Sequence, residues 1–282
     1  MSPAVRRHAR HVLAHLSDPH LTGDGSRVGG VVDATARLDA ALDVLTTWDI
    51  TCDAWVFSGD LSDDGSPSSY ALLRQRVADA AASVGVPVVW ATGNHDDNAA
   101  FRAGVLGEAP DAGPFHAEHR FGGLRVLVVD SNVPGSPAGF VSDGELAWLA
   151  DRLTAPAASG TLLVVHHSPL PPLQDPAWQW PLTNADALAS VVRGSDVRAV
   201  LSGHFHHAAY GTWAGVGAMV APSLVYTQDV TAGRSLRGQD ANVGFAVVEV
   251  YDDVVTHTVV PLGRGAGVHD HLPAGQISPS VT

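Results

Sequence analysis

The chain has 282 residues, 45% of them hydrophobic, and a formal net charge of -13 at pH 7. A chain of this length can bury a sizeable core and suits one large sheet-based domain. The acidic charge argues against a nucleic-acid polymer as a partner, since proteins that bind one usually present a basic face. No uncharged apolar stretch approaches the roughly 18 residues that a membrane span needs, so we expect no membrane span.

The sequence predicts a cytoplasmic protein that is rich in metal-binding side chains. The apolar run after the N-terminal arginines, 12–16, is short and lacks a small-residue cleavage site, so we predict no signal peptide. Cys52 is the only cysteine, which rules out an internal disulfide and fits a reducing compartment. The 15 histidines nearly equal the 16 lysines and arginines, which makes metal sites worth searching for.

Short apolar runs alternate with helical patterns through most of the chain. Strands are predicted where such a run stops at a polar turn, at 12–16, 54–57, 86–91, 124–130, 161–165 and 197–201. Helices are predicted at 34–48, 70–82, 98–106, 142–153 and 184–193. Ser142 precedes Glu145 at the spacing of a capping box, which places the start of the fourth helix.

The remaining segments are expected to be loops and strands. Five prolines and two tryptophans in 168–182 predict a loop that its aromatic residues order over the site. Two β-rich stretches, near 209–221 and 243–261, close a single domain over 1–262, and the Gly, Pro and Ser content of 263–282 predicts a flexible tail. The order of elements favours an α/β fold in which two packed sheets carry helices on their outer faces.

Side chains that bind metal or move protons follow five of the predicted strands. They are Asp18 and His20, Asp60, Asn94 and His95, His166, and His204 and His206. Alternate residues on an extended backbone point to the same side, so we expect Asp18 and His20 to reach one ion together. His204 and His206 are expected to enter one pocket for the same reason.

The donor set consists of oxygen and imidazole without thiolate, which suits Mn, Fe, Zn or Co. DxH or GD alone is more often a solvated turn, and GNHD or GHxH alone is about as often one as not, but their combination indicates a metal site. Seven donor side chains exceed what one transition metal normally uses, so we predict two ions that share a bridging carboxylate. Asp60 is the candidate bridge.

The motifs resemble those of the calcineurin-like metallophosphoesterases. They are DxH at 18–20, GD at 59–60, GNHD at 93–96, the histidine at 166 before Ser168 and Pro169, and GHxH at 203–206. The surrounding sequence, with VFSGDLSDDG, WATGNHDD, LSGHFHH and YTQD, resembles most the bacterial class III cyclic nucleotide phosphodiesterases. The resemblance spans roughly 12–262 and implies a four-layer αββα sandwich of two mixed β-sheets flanked by helices.

The resemblance also implies a role for each motif residue. The first ion would be held by Asp18, His20, Asp60 and His206, and the second by Asp60, Asn94, His166 and His204. His95 is not a ligand in the family; it faces the scissile phosphate, with Asp63 holding its imidazole. Asn94, His95 and His206 would contact the substrate.

The implied reaction is hydrolysis of 3′,5′-cyclic nucleotides, cAMP first, to 5′-monophosphates. A hydroxide between two ions, expected to be Fe or Mn before Zn or Co, would attack phosphorus, and protonated His95 would donate to the leaving oxygen. The family further implies a homodimer, with contacts expected in 209–240. A small phosphodiester is therefore the expected substrate.

Two alternatives stay open from the sequence, and two others are disfavoured. A broader phosphodiesterase would act on 2′,3′-cyclic nucleotides or glycerophosphodiesters, and a non-catalytic scaffold would have kept the fold without the chemistry. A protein phosphatase is disfavoured because GDLSDDG lacks the arginine of that branch and GNHD stands where it has GNHE. A polynucleotide nuclease fits poorly with the acidic charge.

Other residues near the motifs receive structural interpretations. His167 and His207 are expected to support ligands or to be solvated. Three aromatic residues could either pack against their own loops or stack on a base, and we expect packing: Trp178, Trp180 and Tyr226. Asp96 is expected to support its loop, and the remaining histidines, His15 and His257 among them, to be surface or internally satisfied.

Overall fold

The computed structural model describes residues 8–263, so the predicted tail at 264–282 lies outside the described residues. Two β-sheets contain most of the strands of this part of the chain. The strands are β1 (His11–Leu16), β2 (Ala54–Ser58), β3 (Val88–Ala91), β4 (Ala117–Phe121), β5 (Leu124–Val128), β6 (Thr161–Val164), β7 (Val197–Ser202), β8 (Ala209–Trp213), β9 (Val216–Val220), β10 (Thr227–Gln228), β11 (Gly238–Gln239), β12 (Gly244–Val250) and β13 (Val255–Pro261).

The helices lie between the strands at the predicted places. They are α1 (Ala34–Thr47), α2 (Pro67–Val84), α3 (Asn98–Phe101), α4 (Asp143–Arg152) and α5 (Ala185–Val192). Helix α2 begins at Pro67, three residues before the predicted start, because the Ser66 side chain accepts from the main-chain N–H of Ser69 and proline is tolerated in a first turn. Helix α3 passes directly into a π-helical turn, Arg102–Leu106, which replaces the second half of the predicted helix at 98–106.

Both large sheets are mixed. One has the order β13-β12-β1-β2-β3 and the other β4-β5-β6-β7-β9-β8. Strands β1, β2 and β3 are parallel neighbours, and β5, β6, β7 and β9 are parallel neighbours in the second sheet. Parallel neighbours bring their carboxyl ends to one edge of a sheet, which is where the motif residues follow.

Side-chain alternation divides the core into layers. Along β5 and β6, Val126 and Leu162 join the cluster that contains the first sheet, whereas Leu127 and Leu163 join a second cluster with α4 and α5. Helices α1 and α2 pack on the first cluster through Leu38 and other apolar residues at helical spacing. This is the predicted four-layer αββα sandwich, which the structure confirms.

Two local predictions need correction. The Pro-rich segment 168–182 is not wholly irregular, because Asp175–Gln179 forms a short 3-10 helix with a proline in its first turn. Ser142 does accept from the main-chain N–H of Glu145, but Glu145 does not close a capping box. Its carboxylate accepts instead from the main-chain N–H of Asp130, at 3.0 Å, and lies 2.6 Å from His116 Nδ1.

Within residues 8–263, no helix is long and apolar enough to cross a membrane. The longest helix, α2, has 18 residues and exposes a polar face that carries Arg74, Gln75 and Arg76.

Candidate metal centre and active site

The motif residues converge at the carboxyl ends of the parallel strands of both sheets. Among the described residues, ligand atoms of histidines and carboxylates lie within 4.8 Å of one another in three groups. One of them, His20 with Asp63 and His95, includes the exposed His95, and the other two share Asp60 and are buried except for the half-buried His204. Of these two, the first group is Asp18, His20, Asp60 and His206, and the second is Asp60, His166 and His204. Asn94 adjoins the second group, with its Oδ1 atom 3.0 Å from His204 Nδ1.

The backbone at this centre differs from the extended one that the sequence suggested. Asp18, His20 and Asp60 have φ angles of 53°, 45° and 49°, and His204 and His206 have 70° and 52°. Residues other than glycine rarely adopt this left-handed region, and the surrounding structure must hold them there. The premise of an extended backbone was therefore wrong, but the expected neighbours do meet: Asp18 and His20 lie in one group, and His204 and His206 lie at one centre in the two groups that share Asp60.

Two motif glycines are required by close packing against these side chains. Gly59 has a φ angle of 107°, and a Cβ atom on it would collide with the imidazole of His166. A Cβ atom on Gly93 would collide with the Asp60 carboxylate and would lie 2.7 Å from His166 Cδ2. The glycines of GD and GNHD thus give the ligand side chains the space in which they meet.

Each histidine of the two groups has one ring nitrogen engaged by an acceptor outside the centre. Since a carbonyl or carboxylate oxygen only accepts, that nitrogen must carry the proton. The four bonds run from His20 Nδ1 to Asp63 Oδ1 (3.0 Å), from His166 Nδ1 to Ser58 O (2.8 Å), from His204 Nε2 to Trp180 O (2.8 Å) and from His206 Nδ1 to Tyr226 O (3.2 Å).

The second nitrogen of each ring then presents a lone pair to the centre. His20 Nε2 and His206 Nε2 lie 3.1 Å apart, and neither can donate to the other while both rings are neutral. His166 Nε2 is buried without a hydrogen-bond partner and lies 3.3 Å from Asp60 Oδ2. Lone pairs that face one another and carboxylates at these distances require cations between them, so the residues fit a metal centre.

Protons can occupy part of this centre when metal is absent. Burial lowers the pKa of His166, but the charges of Asp60 and Asp18 outweigh burial and raise it to about 9. For His204, burial together with the charge of His166 lowers the pKa to about 4. Metal ions bind neutral imidazole, so we expect metal binding to release the His166 proton.

Asp63 and His95 are arranged differently from the family-based expectation. His95 Nδ1 donates to the main-chain oxygen of Asp63 at 2.9 Å, and its distance to the Asp63 carboxylate is 3.9 Å. The carboxylate binds His20 instead. Burial alone would lower the pKa of His95, but the charge of Asp60 and the Asp63 main-chain oxygen raise it above its ordinary value.

Replacing Asp63 with asparagine therefore tests a metal-holding role rather than a role through His95. We expect metal affinity to fall by about 10- to 100-fold, as for other outer partners of ligating histidines, because His20 loses a charged acceptor. Chelator competition with Mn²⁺ measures the affinity. Unchanged metal affinity together with a shifted pH profile of activity would contradict this role. It would indicate that the Asp63 carboxylate acts on His95.

Asp96 ties together the loops that carry the centre. Its carboxylate, which is buried, accepts from the main-chain N–H groups of Leu61, Ser62 and Gly93 at 2.8 to 3.0 Å and from the hydroxyl of Tyr70 at 3.0 Å. Burial and the neighbouring charge of Asp60 raise its pKa to about 6. The predicted supporting role of Asp96 thus has a structural basis, because this residue joins the loops after β2 and β3.

We expect Asp96→Ala to lower the free energy of unfolding of the metal-free protein by about 3 to 5 kcal/mol, since buried donors lose their acceptor. Asp97 is the matched control, because this exposed neighbour only caps α3 through Ala100 and its alanine variant is expected to cost about 1 kcal/mol. Urea unfolding with a chelator present measures both. Equal losses in the two variants would contradict the role of Asp96.

Several residues that hold the centre carry no sequence signal. Trp180, Tyr226 and Ser58 accept hydrogen bonds from the ligand histidines through their main-chain oxygens. The Ser58 hydroxyl lies 2.9 Å from His15 Nε2. His15 in turn lies 3.1 Å from His257 Nε2, so both histidines have internal partners. His167 is buried, with ring nitrogens 2.8 Å from Ser131 Oγ and 3.2 Å from Pro137 O, whereas Trp178 is exposed.

Known proteins resemble this chain in sequence over most of its length. A family model described as Calcineurin-like phosphoesterase matches residues 11–208. A cAMP/cGMP dual specificity phosphodiesterase of Mycobacterium tuberculosis is 43% identical over 267 residues, which cover 94% of this chain and 84% of that protein. A 3′,5′-cyclic adenosine monophosphate phosphodiesterase of Escherichia coli, CpdA, is 32% identical over 218 residues, which cover 76% of each chain.

Solved structures with much lower identity share the fold. A dimetal phosphatase from Danio rerio has a TM-score of 0.63 at 15% identity, over 91% of this chain and 98% of that chain. GAP50 of Plasmodium has a TM-score of 0.60 at 15% identity, over 93% of this chain and 88% of that chain. These two likenesses concern the fold alone, whereas the family model and the curated relatives confirm the predicted family. The chain belongs to the calcineurin-like phosphoesterase family.

Proposed function

We propose that this protein hydrolyses 3′,5′-cyclic nucleotides, cAMP first, to 5′-monophosphates with the help of two transition-metal ions. The observation that carries the proposal is the pair of donor groups that share the buried Asp60. Two ions about 3.5 to 4 Å apart are the usual arrangement for phosphoester chemistry. The names of the Mycobacterium tuberculosis and Escherichia coli relatives support a cyclic nucleotide as the substrate.

The lone pairs define which residues would hold each ion. Asp18, His20, Asp60 and His206 would hold the first ion through the two Nε2 atoms and the carboxylates. Asp60, His166 Nε2, His204 Nδ1 and Asn94 Oδ1 would hold the second. A set of imidazole and carboxylate without thiolate suits Fe, Mn, Zn and Co. Among these metals we propose Fe or Mn as the pair, with Zn or Co as substitutes.

Bound ions supply an activated water and neutralise the phosphoryl oxygens, and the chain supplies orientation and a proton. Asn94 borders the second group, and we assign to its amide a contact with that ion and with a phosphoryl oxygen. His95 donates from Nδ1 to Asp63 O, which leaves Nε2 as the nitrogen that can protonate a leaving oxygen. Its side chain is 42% exposed, so a substrate can reach it.

The deciding experiment is a comparison of kcat/KM for 3′,5′-cAMP, 2′,3′-cAMP and glycerophosphocholine on one preparation of defined Mn²⁺ content. The proposal requires the highest value for 3′,5′-cAMP. Higher values for either other substrate would establish the broader phosphodiesterase instead. Metal-loaded protein that cleaved none of these diesters and no nitrophenyl diester would establish a non-catalytic scaffold.

We propose further that residues 1–262 form one domain and that the protein is a cytoplasmic homodimer. Strand β8 lies at an edge of the six-stranded sheet and exposes 70% of Tyr210, which favours 209–240 as the contact region. Sedimentation equilibrium of the wild type and of Tyr210→Glu tests this, and a wild-type monomer would refute it.

A further inference from the structure

A cavity of about 340 Å³ opens beside the metal centre, between the turn at 28–32 and the hairpin formed by β10 and β11. Its walls include the apolar side chains of Val28, Val32 and Leu236 together with the ring of Tyr226. Main-chain bonds between Val28 and Val32 order the turn. A largely apolar cavity of this size with a few polar groups has the character of a small-molecule site.

Gln228 lines this cavity and also the two neighbouring ones. Its Oε1 atom is buried and has no hydrogen-bond partner. Buried polar atoms in folded proteins are nearly always paired, so an unpaired acceptor at a cavity wall indicates a missing donor. The main-chain N–H of Gln228 is engaged elsewhere, since it donates to His206 O at 2.9 Å.

The cavity and the metal centre share one wall. The Tyr226 ring lies 4.3 Å from the His206 ring, centroid to centroid, and the main-chain oxygen of Tyr226 accepts from His206 Nδ1. A phosphate bound at the first metal group would therefore have the cavity on the far side of Tyr226. In a nucleotide the sugar separates the base from the phosphate, so a base could lie in this cavity while its phosphate lies at the metal group.

We propose that this cavity binds the purine base of the substrate and that the Gln228 amide pairs with the edge of the base. This inference rests on the proposed function. A glutamine amide matches adenine well, because Oε1 accepts from the N6 amino group while the amide nitrogen donates to N7. The apolar walls and the Tyr226 ring cover the faces of the base.

Two neighbouring spaces fit the base less well. The space beside Trp180 and His204 has a volume of about 40 Å³, which suits roughly one water molecule. A larger cavity of about 500 Å³ also has Gln228 in its wall, but its lining includes Leu173, His207 and Tyr210 and lacks Tyr226, whose ring lies against that of His206.

The test compares two ligands that differ only in the base. Calorimetry on full-length, Mn²⁺-loaded protein measures the Kd of 5′-AMP and of ribose 5-phosphate. We expect wild type to prefer AMP, and Gln228→Ala to weaken AMP by about tenfold while leaving ribose 5-phosphate unchanged. Gln179→Ala, at an exposed glutamine outside this cavity, is the matched control and is expected to bind both ligands as wild type does.

A second pair of variants locates the base. Val31 lines this cavity and Leu173 lines the larger one, with exposed fractions of 63% and 70%, so each can be enlarged without repacking a core. Val31→Trp is expected to remove the preference for AMP, and Leu173→Trp to leave it intact. The reverse pattern would overturn the proposal, as would equal affinities of wild type for the two ligands or no binding of either.

Binding and turnover separate this inference from the proposed function. A wild type that prefers AMP in calorimetry but hydrolyses no cyclic nucleotide would refute the proposed function and support the base cavity. A wild type that hydrolyses 3′,5′-cAMP but binds AMP and ribose 5-phosphate equally would support the function and refute the cavity.

Discussion

Replacing Asp60 with asparagine is expected to release both metal ions together and to lower kcat/KM for 3′,5′-cAMP by at least about 10³-fold, or about 4 kcal/mol of transition-state stabilisation. The Asp60 carboxylate belongs to both donor groups, with Oδ2 at 3.4 Å from His20 Nε2 and 3.3 Å from His166 Nε2. Asparagine keeps the shape but removes the charge that two cations would share. The other histidines and carboxylates cannot replace that charge.

Elemental analysis of the purified variant, with activity measured on the same sample, checks the expectation. Asp64→Asn is the matched control, because Asp64 lies in the same loop but is exposed and accepts only from Ser62 and Ser66. We expect that control to keep both ions and its activity. An Asp60→Asn protein that retained both ions would remove the bridging assignment, and one that lost a single ion would assign Asp60 to that ion alone.

The sequence predicted the fold and the membership of the site because both depend on side-chain type. Apolar runs such as 161–165 identify buried strands, and polar residues such as Asp60 and His166 at their carboxyl ends have few uses in packing. The order of the five motifs then selects one family. The seven predicted residues lie close together in the structure, whereas their coordination of metal stays a proposal.

The orientation of the site could not be predicted because it depends on main-chain atoms. The proton positions of His204 and His206 follow from the carbonyl groups of Trp180 and Tyr226, and every residue has a carbonyl group. The left-handed backbone at Asp18 and His20 has only a weak signature, since aspartate and histidine adopt it more often than most residues but usually do not. For the same reason, the sequence predicted that His95 is held by the Asp63 carboxylate, whereas in the structure it is held by the Asp63 main-chain oxygen.

Replacing His95 with alanine is expected to leave both ions bound and to slow turnover according to the leaving group. For 3′,5′-cAMP, whose leaving group is a sugar alkoxide, the loss of a general acid should cost about 10² to 10⁴ in kcat. For bis(4-nitrophenyl) phosphate, whose leaving group is stable without a proton, we expect a loss below about tenfold. We expect both ions to stay bound because His95 is not one of the proposed ligands. Its imidazole is held by the hydrogen bond from Nδ1 to Asp63 O.

Two further variants separate proton donation from packing, because the His95 ring lies 4.6 Å from the ring of the proposed ligand His20. His95→Gln keeps a hydrogen-bond donor of similar size but cannot act as an acid, so it should reproduce the alanine variant. His119→Ala, at a histidine on the edge strand β4, controls for histidine removal away from the centre. Equal slowing of both substrates in His95→Ala, with metal content unchanged, would argue for electrostatic stabilisation of the phosphoryl group and against proton donation.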